Sequence, residues 1–179
     1  MALSKRLPFK TAVLISGFKA FFKEKQAVAF TLISGFITGS FMVYLSTTQH
    51  IFEVQYGLGD DFPLIFASLA VGVGFATYLN GVYVVSVGMK RIALISLAAF
   101  NLTSLIYVVV FFNQPNPPLW ILLIFFVLQF FAIGFLFGNL RALAMQPIGH
   151  IAGVGAAING FVSTVMGVVI ATFIGAYVD

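Results

Sequence analysis

The polar side chains that stand among apolar neighbours in this sequence are amides and hydroxyls rather than acids or bases. Gln129 lies within the apolar run LWILLIFFVLQFFAIGFLFG. An amide in hydrocarbon is unfavourable unless it meets another helix, water or a ligand. Phe36, Ser40, Tyr44 and Thr47 recur at i, i+4, i+8 and i+11, a mixed aromatic and hydroxyl stripe along one helical face. Such a wall suits an amphipathic organic molecule, which makes these five residues the substrate-lining candidates. The rival reading leaves the hydroxyls bonded to their own backbone or to a neighbouring helix, with the rings against lipid. Asn80, Asn101, Asn139 and Asn159 read as hydrogen-bond groups between helices. No nucleophile–base pair and no phosphate-cradling glycine loop with lysine is present, so no catalytic residue and no enzyme activity is expected. With no cysteine and only His50 and His150, both at expected helix ends, neither a metal nor another cofactor is expected.

These residues must be positioned by membrane helices. Of 179 residues, 61% are hydrophobic and 8% charged, against about a quarter charged in soluble domains. Apolar runs long enough to cross a bilayer predict five spans, at about 27–48, 62–87, 92–112, 119–142 and 151–178. Residues 1–27 form a basic segment in which Val13, Leu14, Phe18, Phe21 and Phe22 oppose Lys19 and Lys23, the pattern of a basic amphipathic helix on the membrane surface. A flexible basic leader is the alternative.

Charge tests the topology. Five spans place Lys5, Arg6, Lys10, Lys19, Lys23, Lys25, Lys90, Arg91 and Arg141 on one side. Glu53, Asp60, Asp61 and Asp179 fall on the other. Positive charge stays cytoplasmic, so the N-terminus is expected inside and Asp179 outside. An odd span number reads as one piece of a larger assembly. Between the last two spans, Pro147 forces a turn near Gln146. Beyond it Gly149, Gly153, Ala157, Ser163, Gly167, Ala171 and Gly175 form a small-residue row suited to close helix approach.

Three stretches carry a family resemblance: QYGLG at Gln55–Gly59, NGVYVVSVGMKR at Asn80–Arg91, and GNLRALAMQPIGHIAGVGAA at Gly138–Ala157. Together they resemble the C-terminal half, helices seven to eleven, of a major facilitator superfamily transporter of the Bcr/CflA-type drug:proton antiporter branch. The resemblance implies part of a six-helix half, a bacterial inner membrane, a small organic substrate and an N-terminal transporter half as partner. It also implies a cytoplasmic gate, for which Asn80, Gly88, Lys90, Arg91 and Arg141 are the candidates. Ser86 stands where the resembled motif is basic, and Gln146 where many relatives are acidic. A membrane scaffold without transport, or an inactive truncated transporter, is the alternative function.

Overall fold

The computed structural model describes residues 11–113 and 116–177, without the side chains of 11–14. Lys5, Arg6, Lys10, the side chains of Val13 and Leu14, and Asp179 lie outside the described residues. The elements in order are α1 (Thr11–Lys23), α2 (Lys25–His50), a π-helical turn (Ile51–Gln55), α3 (Phe62–Val87), α4 (Met89–Phe111), α5 (Leu119–Met145), a 3-10 elbow (Gln146–Ile151) and α6 (Ala152–Gly175). Among the described residues, four helical stretches are long and apolar enough to cross a membrane: Lys25–Gln55, Phe62–Val87, Met89–Phe111 and Leu119–Gly175. The last has 57 residues, more than twice the roughly 20 that one crossing takes. It bends at Ile148, whose backbone leaves helical geometry at φ −117 and ψ 26, beside Pro147. The stretch is therefore two rods, α5 and α6. The protein is an all-α membrane protein, as its composition predicts.

Helix α5 is the axis, packed against α2, α3, α4 and α6. Its buried Phe130, Ile133, Leu136, Leu140 and Leu143 join Ile37 and Tyr44 of α2, Leu69 of α3 and Ala93 of α4 in one core. By contrast, α3 buries only Leu69 and Ala76, and α4 only Ile92, Ala93 and Ser96. Val71, Phe75, Leu105 and Val109 are left exposed. In water so large an apolar surface would aggregate; in lipid it is solvated.

The tightest pairing joins α2 to α6, which run parallel. A Cβ at Gly35 would clash with Met166 Sδ, one at Gly39 would lie 2.6 Å from Ile170, and one at Gly167 3.1 Å from Thr38. Each glycine is the hole for the other helix's side chain. Asn159 Nδ2 donates to Thr31 Oγ1 across this pair at 2.8 Å. A double-mutant cycle of Asn159→Leu with Thr31→Val should give a coupling of about 0.6 kcal/mol, the usual size for such bonds in membranes. Zero coupling in unfolding measurements would make the bond incidental. The small-residue row is only half used: Ser163 and Gly167 are buried, whereas a Cβ at Gly149 or Gly153 would meet nothing within 4 Å.

The bundle has a basic and an acidic end. Gln26 Nε2 donates to the carbonyl of Leu143 at 3.1 Å and to Gln146 Oε1 at 3.4 Å, joining the start of α2 to the elbow. Lys19, Lys23, Lys25, Lys90, Arg91, Arg141 and His150 lie at this end, with Glu24 as the acidic exception. At the other end Tyr56 Oη donates to the carbonyl of Pro117 at 2.7 Å, where Glu53, Asp60, Asp61 and His50 lie. Two connections differ from expectation. The turn between α3 and α4 is a single residue, Gly88 at φ 89, a conformation that favours glycine. Lys90 and Arg91 consequently stand on the first turn of α4 rather than in a loop. The connector expected from His50 continues the helix through the π-helical turn, which buries Phe52 completely.

Candidate functional site

A cavity of about 480 Å³ lies over α5, between α2 and α4. Its size is in the range of small-molecule sites. Phe125, Phe126, Gln129, Phe130 and Ile133 of α5 form the floor. The wall on α2 holds Ser40 and Tyr44, continued by Ile51 and Gln55 of the π-helical turn. The wall on α4 holds Phe100, Ser104 and Tyr107, at i, i+4 and i+7. The cavity therefore runs from Ser40 and Phe100, near the middle of the bundle, towards Tyr56 and Asn116 at the acidic end.

Aromatic rings are the largest group in the lining. Tyr44 meets Phe130 edge to face at 4.5 Å and Phe126 at 5.1 Å, and stacks on Phe66 at 6.1 Å. Against this apolar frame the polar atoms are few and specific. Gln129 Nε2 donates to Ser104 Oγ at 2.6 Å and to the carbonyl of Phe100 at 3.3 Å. That carbonyl can only accept, which fixes the amide orientation. Gln129 Oε1 then remains buried with no partner in the protein. The Tyr44 hydroxyl is also buried, with Thr48 as a side-chain neighbour but no well-formed hydrogen bond, on a residue only 8% exposed. An unmet buried polar atom costs about 1–3 kcal/mol. A ligand that donates to Gln129 and bonds to the Tyr44 hydroxyl recovers that cost. Beyond the span, burial raises the pKa of Tyr56, and nearby Tyr107 adds to the rise. Tyr56 therefore stays a hydrogen-bond donor at the mouth.

Tyr44→Phe separates stability from binding. Removing a hydroxyl that has at most a weak bond to Thr48 should leave the thermal midpoint little changed, and should weaken binding of a ligand in the cavity about fivefold or more. A large stability loss in thermal melts would show that the hydroxyl is paired in the native bundle.

The structure brings together three of the five expected lining residues, Ser40, Tyr44 and Gln129. Ser40 Oγ also donates to the carbonyl of Phe36 at 3.1 Å. Phe36 is 61% exposed and does not line the cavity. Thr47 is buried, donates to the carbonyl of Val43 at 2.8 Å, and borders a recess shared with α6 instead. The stripe is split because α2 meets different neighbours along its length. Among the gate candidates, Asn80 accepts a bond from Asn139 Nδ2 at 2.6 Å, tying α3 to α5. Gly88, Lys90 and Arg91 border one surface recess, and Arg141 is exposed. Asn101 corrects its expectation: its amide donates to the carbonyl of Leu97 in its own helix, not to a neighbour. Sequence reasoning passed over Ser104 and Tyr107, although their spacing with Phe100 is the same signal that marked the stripe on α2.

Among the described residues no group of three or more His, Cys, Asp or Glu is placed to hold a metal ion. No family model matches the chain, and no solved structure matches it. The chain is similar to an uncharacterized MFS-type transporter, YdgK, of Bacillus subtilis (strain 168), at 23% identity over 178 residues. The match takes in 98% of this chain and 43% of the relative, so the chain spans less than half of the transporter that it matches.

Proposed function

From that likeness we propose that the chain is part of a secondary carrier of the major facilitator type. In this reading it is the carrier's C-terminal half, of the drug:proton antiporter branch, in a bacterial inner membrane, and it works against an N-terminal half. The cavity between α2, α4 and α5 takes a small, largely apolar organic molecule with at least one hydrogen-bonding group. The observation that supports this most is the unanswered buried Gln129 Oε1, with the buried Tyr44 hydroxyl near it in an aromatic-rich chamber. Among the described residues Glu24, His50, Glu53, Asp60, Asp61 and His150, like Lys25, Lys90, Arg91 and Arg141, stand at or near helix ends, so in this reading the proton-coupling group belongs to the rest of the carrier.

One observation favours a second reading of the cavity. Beyond it, the exposed strip on α2 continues through Ala29, Leu32 and Phe36, and an elongated apolar groove fits a further transmembrane helix. This chain has no cysteine, so in a full carrier whose other parts are cysteine-free or made so, a single thiol at Ser104→Cys separates the two readings. Labelling slowed by added substrate supports the binding cavity; a thiol that never labels supports a helix seated over it.

Cytoplasmic placement of the basic end rests on the positive-inside bias. Single cysteines at Lys90 and Asp60 should react with impermeant thiol reagents from opposite faces of the membrane. Labelling of both from one face would defeat the orientation and the carrier reading with it.

A further inference from the structure

The sequence pattern predicts that α1 lies on the membrane surface with Phe18, Phe21 and Phe22 together on its apolar side. The structure uses them differently. Phe21 is 1% exposed and packs with Ala27, Ile148 and Ile158. A Cβ at Gly17 would lie 3.0 Å from Val154, so α6 presses directly on the α1 backbone. One strip of α1 is therefore docked on the bundle, and its partner Ile148 is the residue whose backbone makes the elbow's kink. The next strip round the helix holds Ile15, Phe18 and Phe22, which are 58%, 49% and 60% exposed. The strip after that holds Lys19 and Lys23, both exposed. Docked, apolar and basic strips thus follow in order around one helix.

We infer that α1 is a clamp on the α5–α6 elbow held by anionic phospholipid. Only Glu24 separates α1 from α2, so α1 sits where the first span begins, at headgroup depth. There Ile15, Phe18 and Phe22 enter the acyl boundary while Lys19 and Lys23, with Lys25 beyond, meet lipid phosphates. Three lysines against one exposed acid, Glu24, give this surface the charge that matches an anionic bilayer. Each lysine near such a surface contributes roughly a fivefold preference. Phe21 carries that hold to Ile148. The inference needs the chain to be a membrane protein and is independent of what it carries.

The test is amide hydrogen exchange of the full chain in nanodiscs of phosphatidylcholine alone and of phosphatidylcholine with phosphatidylglycerol. Exchange should slow several-fold in the anionic discs, both across Gly17–Lys23 and across the elbow at Gln146–Ile151. Lys19→Gln with Lys23→Gln, which touches only exposed side chains, should remove the difference, as should high salt. Equal exchange in both lipids, or an anionic effect that the double variant keeps, overturns the inference. Slowing confined to α1 with an unchanged elbow overturns the clamp.

Discussion

Gly134→Val is expected to drive α3 away from α5. A Cβ at this position would lie 2.6 Å from Ala76 Cβ, 2.7 Å from the carbonyl oxygen of Val73 and 3.3 Å from the backbone nitrogen of Thr77. Backbone and β-carbon atoms cannot swing aside, so the helices themselves must separate. Separation also strains the contact between Thr77 Oγ1 and the carbonyl of Gly134, at 3.3 Å. Overpacking of this kind costs about 3 kcal/mol or more, a fall in thermal midpoint on the order of 6 °C or more for a chain of this size. Gly138→Ala is the control, because a Cβ there meets nothing within 4 Å. It should be neutral or stabilising, by up to about 1 kcal/mol of helix propensity. Equal melting temperatures for Gly134→Val and the parent protein would mean that α3 does not sit on α5 as described.

Gln129→Leu is expected to have the largest effect on transport. The substitution is similar in size and removes both the bonded amide nitrogen and the unpaired oxygen. Ser104 Oγ keeps its bond to the carbonyl of Phe100 at 2.9 Å, so little is stranded and stability should change by about 1 kcal/mol or less. A ligand that spends a donor on Gln129 Oε1 loses about 1–3 kcal/mol, or roughly 5- to 150-fold in affinity. Under the proposed carrier reading, transport by the full carrier should then show a raised KM for polar substrates, with substrates lacking a donor little affected. An unchanged KM for every substrate would remove Gln129 from the site.

The helices were legible in the sequence because their signals are local. Apolar runs, Pro147 and the glycines bound them, and charge separates their ends. What one side chain touches depends on which helix arrives beside it, and no local signal carries that. Ser40 and Phe36 sit one turn apart on α2, yet only Ser40 reaches the cavity. Gln129 was legible as a costly amide, but its partner Ser104 comes from another helix. Phe21 reads as a lipid-facing residue until the elbow is folded against it. Lys90 and Arg91 look like loop residues because a one-residue turn at Gly88 leaves no trace beyond a single glycine.

The glycine-lined pairing of α2 with α6 joins the first long helix to the last, with about 130 residues between Gly35 and Met166. A ribosome adding about 5–20 residues per second needs roughly 7–26 s to cover that interval. Through that wait the notches at Gly35 and Gly39 lack the α6 side chains, Met166 and Ile170, that fill them. Arrival of α6 is therefore what closes this pairing. Substitutions in those notches should leave membrane insertion intact and delay only the final closure.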